Sequence, residues 1–157
     1  CNAHGILVDL SHMTERGFWD VAAATDAPLV ASHSNAWELC PSPRNLTDAQ
    51  LDTIARSDGF VGLNFGTIFL RPDRAANANT PLTVMIDHLT YLVDKLGVER
   101  VGFGSDFDGA GIPAAIGTAA GMPQLIEAMR TAGFTNSEVN DIAWRNWLAV
   151  LRRTWGR

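Results

Sequence analysis

Two hydrophobic rhythms alternate along the chain, and their alternation restricts the fold more than any other feature. Apolar residues repeat every second position over 6–11, 29–32, 60–64 and 100–105, the spacing of a half-buried strand. Between these runs the spacing widens to about 3.6, the period of an amphipathic helix. Thr14 is placed to cap a helix over "ERGFWDVAAATD" and Thr47 one over "DAQLDTIARSD". Pro81 opens "LTVMIDHLTYLVDKLG", which Gly97 closes. Two more helices are expected near 123–132 and 135–154. The segment "NAWELCPSPRN", with Pro41 and Pro43, reads as an ordered loop, "GTIFLRPDRAANANT" as a loop on composition, and Gly109 to Met122 as a Gly/Ala/Pro-rich loop.

A strand–helix unit repeated four times implies a parallel sheet with right-handed crossovers. A doubly wound open sheet fits, and so does part of an eight-stranded barrel of about 250 residues. "CNAHG" reads as the last turn of a helix with Gly5 just past its end. Further sequence is therefore expected before residue 1. The expectation is an α/β fold: the C-terminal half of a (β/α)8 TIM-like barrel, with four parallel strand–helix units plus C-terminal helices. Residues 1–157 then form one partial domain without its N-terminal half.

Composition excludes several function classes. The chain has 157 residues, 46% hydrophobic and 18% charged, which suits one packed core and not disorder. Its net charge of −5 argues against nucleic acid, which needs clustered Lys and Arg. No apolar run approaches the roughly 18 residues of a membrane span. The two cysteines, Cys1 and Cys40, fit no zinc or redox motif and read as thiols. A signal peptide would lie upstream, and a cytoplasmic location is the default expectation.

Both architectures place chemistry at the carboxyl ends of the strands. There "LVDLSH" and "LVASH" end alike, in Ser-His. Strict alternation sets Val8 and Leu10 on the face of His12, and Leu29 and Ala31 on the face of His33. It sets Asp9 on the opposite face, as a structural residue. In "GFGSDFDG", Gly102, Gly104 and Asp106 share a face with little bulk beneath the carboxylate. Two imidazoles and a carboxylate at neighbouring strand ends suit a divalent metal such as zinc, although a strand-end His is also an ordinary loop or capping residue. His4 sits in the helix tail, and His88, within a helix, is read as packing or bonding locally. Asp108 is either an outer support of the site or a cap for the Gly-rich loop. Arg44 suits a two-pronged hold on a substrate carboxylate; a loop-stapling ion pair is the alternative. "VGFGSD" lacks the lysine of a phosphate loop, and the G-x-S-x-G elbow is absent.

Taken in order, "GILVDLSH", "SHSNAWELCPSPRNLTDAQ", "GFVGLNF" and "VGFGSDFDG" resemble the renal (membrane) dipeptidase family over nearly the whole chain, and correspond to the second half of its barrel. The resemblance implies a binuclear zinc hydrolase of the amidohydrolase kind, cleaving dipeptides with a metal-activated hydroxide and often accepting a D residue at the carboxyl end. By motif, His12 and His33 match the two histidines of one zinc. Arg44 matches the residue that holds the substrate carboxylate. Asp106 matches the aspartate beside the other zinc, which accepts a proton and binds the substrate amine. The family's His-x-Asp pair, bridging Glu and a substrate-binding His belong to its first half and match nothing here. Two zinc ions are therefore expected per complete site, at most one well held by this chain. The isolated chain should be inactive and should pair with the missing half or form a homodimer. The tail "LRRTWGR" is no lipid-anchor signal. A non-catalytic truncated barrel, or another amidohydrolase-type metal hydrolase, is the alternative.

Overall fold

A computed structural model describes residues 1–155. Its sheet is parallel, with strands β1 (Val30–Ala31), β2 (Phe60–Leu63) and β3 (Val101–Phe103) side by side in that order. The first apolar run joins by a single parallel bridge, Asp9 to Val30, with the Leu10 N–H donating to the Val30 carbonyl at 2.8 Å. The helices are α1 (Glu15–Ala24), α2 (Asp48–Arg56), α3 (Thr67–Leu70), α4 (Leu82–Leu96), α5 (Met122–Thr131), α6 (Asn136–Asn140) and α7 (Asn146–Trp155). The expected caps are in place. The Thr14 side chain accepts from the Gly17 N–H, and Thr47 forms a reciprocal capping box with Gln50. Gly5 closes a short 3-10 turn, Asn2–His4, at φ 62°. Cys1 and Cys40 are free thiols.

Two of the expected elements need correction. The segment read as a loop from 66 holds the short helix α3, whose buried Thr67 and Leu70 anchor it. The final helix is not uniform: a five-residue π turn, Asp141–Arg145, joins α6 to α7. The wider turn lets two consecutive side chains reach the same strand. Asn146 Nδ2 donates to the carbonyls of Val98 and Val101 at 2.7 and 2.8 Å, and Trp147 Nε1 to that of Phe103 at 2.8 Å. These side chains occupy carbonyls along the outer edge of β3, which an exposed sheet edge would otherwise offer to another chain. This edge of the sheet is thus partly covered from within.

The two sheet faces are packed differently. Leu10, Leu29, Ala31, Val61, Leu63 and Val101 enter the main core with Phe18, Ile54, Leu89 and Met129 from the surrounding helices. Val30 and Phe60 lie on the other face against Val150, with the Phe60 and Trp147 rings 4.3 Å apart. The face of Leu10, Leu29 and Ala31 is therefore the one packed on α1, α2, α4 and α5, not the site-bearing face that strict alternation assigns to it. The alternation fails because the first run ends at Leu10. Ser11 and His12 form a turn, with His12 at φ 69°, so the period of two does not reach the histidine.

After β1 the chain crosses the site-bearing face. A Cβ at Gly62 or at Gly104 would lie 2.0 Å from the Ser32 carbonyl oxygen, and at Gly104 also 2.8 Å from the His33 Cα. Only glycine permits this approach. The loop that follows is tied to its surroundings. Ala36 bridges Leu46, Asn45 Nδ2 donates to the carbonyls of Cys40 and Phe69, and Asn35 Nδ2 donates to those of Asn64 and Phe69. His88, fully buried in α4, joins loop and helix. Its Nδ1 accepts from the Ala36 N–H at 3.2 Å and its Nε2–H donates to the Leu70 carbonyl at 2.9 Å. These partners lie 52 and 18 residues away, so the bonding expected of His88 is long-range and not local.

Two outcomes are expected. Gly104→Ala drives a methyl into backbone that cannot retreat, and should lower unfolding free energy in urea by about 1–3 kcal/mol; unchanged stability would mean the crossing is not tight. Burial holds the His88 pKa below 6.5, against smaller opposing effects of the Leu70 carbonyl and Asp87. The unfolded chain therefore binds the extra proton first. The stability His88 contributes is complete above pH about 6.5 and is lost as pH falls toward its depressed folded value. Urea titrations at pH 7.5 and 5.5 should show a smaller pH dependence for His88→Gln than for the parent. Equal slopes would remove His88 as the source.

Candidate functional site

At the carboxyl ends of the strands the two Ser-His motifs meet. The Nε2 atoms of His12 and His33 are 2.9 Å apart, and the ring centroids 5.0 Å at an interplanar angle of 57°. His12 reaches this position through its left-handed turn and is exposed, whereas His33 is half-buried. Burial lowers the His33 pKa, and the negative charges of Asp106 and Asp9 work against that shift, while Arg44 and His12 add to it. All four therefore lie within electrostatic reach of one imidazole.

Asp106 is held by Asn64, the residue that follows β2. Asn64 Nδ2 donates to Asp106 Oδ2 at 3.0 Å, and Asn64 Oδ1 accepts from the Gly66 N–H at 2.6 Å. The Asn64 N–H is in turn bonded to Asn35 Oδ1. Asn64 is 1% exposed, a buried amide whose donors and acceptors are used to orient a carboxylate. Asp106 and Asp108 adopt φ of 56° and 65°, so three of the non-glycine residues in the left-handed region, with His12, lie at these strand ends. Such conformations cost energy and collect where a site dictates side-chain direction. Asp108 itself is exposed, and lines a separate cleft of about 620 Å³ with Ile112 and Thr118.

Arg44 stands over the Phe69 ring, its guanidinium carbon 5.5 Å from the centroid. Its Nε is buried and has no hydrogen-bond partner among the described residues. Burial lowers its pKa, and Asp106 and Asp9 offset this. It also lines a cleft of about 400 Å³ between the start of α1 and the long loop, with Leu10, Phe18, Trp37 and Pro43. Arg44 makes no ion pair there, so the loop-stapling alternative has no support among the described residues.

Asp9, read from the sequence as structural and facing away, is a hub of the site. Its Oδ1 accepts from the Ser11 and Ser32 N–H groups at 3.0 and 2.9 Å, and its Oδ2 accepts from the Ser32 hydroxyl. Ser32 Oγ is also 2.6 Å from His33 Nδ1, and the His33 N–H donates to Ser11 Oγ at 3.0 Å. Burial alone would raise the Asp9 pKa, but the bonds from Ser32 and Ser11 outweigh it and the net shift is downward. Asp9 thus binds both Ser-His ends together. The signal that could have identified it is an acidic residue within an otherwise apolar strand.

The donor set suits a metal in part. Two imidazole nitrogens converge on one point, and tetrahedral zinc bonded at 2.0–2.1 Å would need them about 3.3 Å apart, a few tenths of an ångström wider than here. Among the described residues, however, no three His, Cys, Asp or Glu side chains form a group able to hold a metal ion alone. Asp106 lies near the histidines without completing such a group. His4 is exposed in its turn and takes no part.

Comparison with known proteins gives this arrangement a family. A crystal structure of a dipeptidase described as a metallopeptidase superposes with a TM-score of 0.99 at 49% identity, covering 100% of this chain and 46% of that one. A metallopeptidase from Rhodobacter sphaeroides, solved with a phosphinate mimic of the dipeptide L-Ala-D-Ala, gives 0.97 at 50% identity, covering 99% and 44%. A Klebsiella pneumoniae protein encoded in the pqqA 5′ region is 48% identical over 154 residues, 98% of this chain and 57% of its own length. The chain spans about half the length of these relatives. The family profile of the membrane dipeptidases, peptidase family M19, matches residues 1–155, and the chain belongs to that family of metallodipeptidases.

Proposed function

We propose that this chain is the C-terminal half of a (β/α)8 barrel, one partial domain over residues 1–157, and that the protein completed by the N-terminal half hydrolyses dipeptides. The observation that carries this reading is the meeting of the His12 and His33 Nε2 atoms at 2.9 Å, beside a carboxylate and an arginine whose buried Nε has no partner among the described residues. The coverage of 46% and 44% of the two superposed structures supports the half-barrel reading.

His12 and His33 would hold a zinc ion, with Asp106 beside a second ion whose other ligands come from the N-terminal half. An ion held there would supply Lewis acidity toward a peptide carbonyl and toward water. The residues of this chain do the rest. Arg44 makes no ion pair among the described residues and is always charged, so it can take a dipeptide's free carboxylate through paired hydrogen bonds. The cleft of about 400 Å³ beside it is apolar enough for a small side chain. Asp106 accepts one hydrogen bond from Asn64 at Oδ2, and that orients the carboxylate to receive a proton or bind the substrate's amine. A dipeptide with a D residue at the carboxyl end is the substrate class to try first, because the Rhodobacter sphaeroides relative was solved with a mimic of L-Ala-D-Ala. No helix among the described residues is long and apolar enough to cross a membrane.

The full-length protein should hydrolyse L-Ala-D-Ala much faster than its C-terminal amide. Arg44→Lys should raise KM for the free dipeptide about tenfold or more, in keeping with loss of a charged hydrogen bond. If it impairs free and amidated dipeptides equally, the carboxylate role fails. Asp106→Asn should lower kcat by roughly 10²–10⁴-fold with a smaller change in KM. In calorimetry, His12→Ala and His33→Ala should each lose most of the zinc affinity; unchanged affinity in both would refute the shared ion. Residues 1–157 alone should be inactive and should self-associate in light scattering, and a stable, active monomer would overturn the half-barrel reading.

A further inference from the structure

We infer that Asp9 and Ser32 are positioning residues that set the tautomer of His33, holding its Nε2 lone pair toward the point where His12 also arrives. The inference rests on the metal reading above only for its purpose; the hydrogen-bond chain stands without it. An ionised carboxylate is acceptor-only. Asp9 Oδ1 already accepts the Ser11 and Ser32 N–H groups, and Oδ2 lies against the Ser32 hydroxyl. The Ser32 proton must therefore point to Asp9. Ser32 Oγ is then left to accept, and its remaining neighbour is His33 Nδ1 at 2.6 Å. A bond there requires the proton on Nδ1, which leaves Nε2 bare. The His12 contact agrees: at 2.9 Å one of the two Nε2 atoms must donate, and with His33 bare the donor is His12.

The backbone makes the chain rigid. The Asp9 carboxylate receives N–H groups from both Ser-His segments, and the His33 N–H is pinned to Ser11 Oγ at 3.0 Å. The Ser32 carbonyl is pressed onto Gly62 and Gly104, so the seryl side chain cannot swing its backbone away. The carboxylate acts on the ring through a hydroxyl, and a ring so fixed is a better nitrogen donor than one free to exchange tautomers.

Asp9→Asn inverts the chain while nearly preserving its shape. The amide oxygen can keep the two backbone N–H groups, and its Nδ2 then donates to Ser32 Oγ. The seryl proton turns to His33 Nδ1, and the ring proton moves to Nε2. Ser32→Ala removes the link outright and tests the same point should Asp9→Asn fold poorly. The test is long-range 1H–15N correlation NMR of the histidine rings in the metal-free full-length protein, with zinc affinity measured alongside by competition calorimetry. The parent should show the Nδ1–H form at His33, and Asp9→Asn the Nε2–H form. Ser32→Ala should lose the fixed Nδ1–H signature. Both variants should bind zinc about 10–100-fold more weakly. An Nε2–H ring in the parent, or an unchanged Nδ1–H ring in both variants, overturns the inference. A tautomer that shifts as expected while His12→Ala and His33→Ala bind zinc like the parent would uphold the relay and refute the metal reading instead.

Discussion

The site depends on one close approach. Beyond β1 the backbone of Ser32 and His33 lies directly on Gly62 of β2 and Gly104, just past β3, with no room for a single added carbon. That contact brings His33 across the sheet to His12 and puts the Ser32 hydroxyl within reach of Asp9. It also delivers the chain into the long loop at the correct height for Ala36 and Asn35 to bond inward, and so sets where Arg44 emerges. A packed interior has few alternative states. Two missing side chains therefore fix the position of several functional ones.

Support for this contact comes from below and from the side. Polar groups that would be costly to bury unpaired are matched across long stretches of chain: Asn35 with Asn64 and Phe69, Asn45 with Cys40 and Phe69, His88 with Ala36 and Leu70. They attach a loop rich in proline and polar residues to the sheet, alongside the buried side chains of Ala36, Cys40 and Leu46. At the far edge, the π turn before α7 performs a comparable task for β3, satisfying its outer carbonyls with side chains in place of another strand.

The order of elements was legible in the sequence because each helix carries its own start signal and each strand its own short apolar run. Thr14, Thr47 and Gly5 behave as local chemistry demands. The faces of the first two strands were not legible. Alternation is a property of extended backbone, and both histidines lie past the last extended residue, one in a left-handed turn and one on a segment bent over glycines. The convergence of His12 and His33 was nevertheless readable, because it follows from equivalent positions on adjacent parallel strands and not from parity. Asn64 and Asp9 were missed for a different reason. Each acts only through a partner distant in sequence, Asp106 in one case and Ser32 in the other, and pairings of that kind leave no periodic trace.

The site also shows how its labour is divided. The elements present here fix directions: a tautomer through Asp9 and Ser32, a carboxylate through Asn64, a guanidinium through the loop and the Phe69 ring. Among the described residues they assemble no closed cage: the two imidazoles converge as a pair without a third ligand. Left-handed conformations at His12, Asp106 and Asp108 are a standing cost in a chain that gains nothing locally from them. Such strain persists when the surrounding structure over-determines it, and here the glycine crossing and the Asp9 and Asn64 bonds do so before any ion or substrate arrives. Two imidazoles already held this close and in fixed directions give up little conformational freedom on binding a common partner.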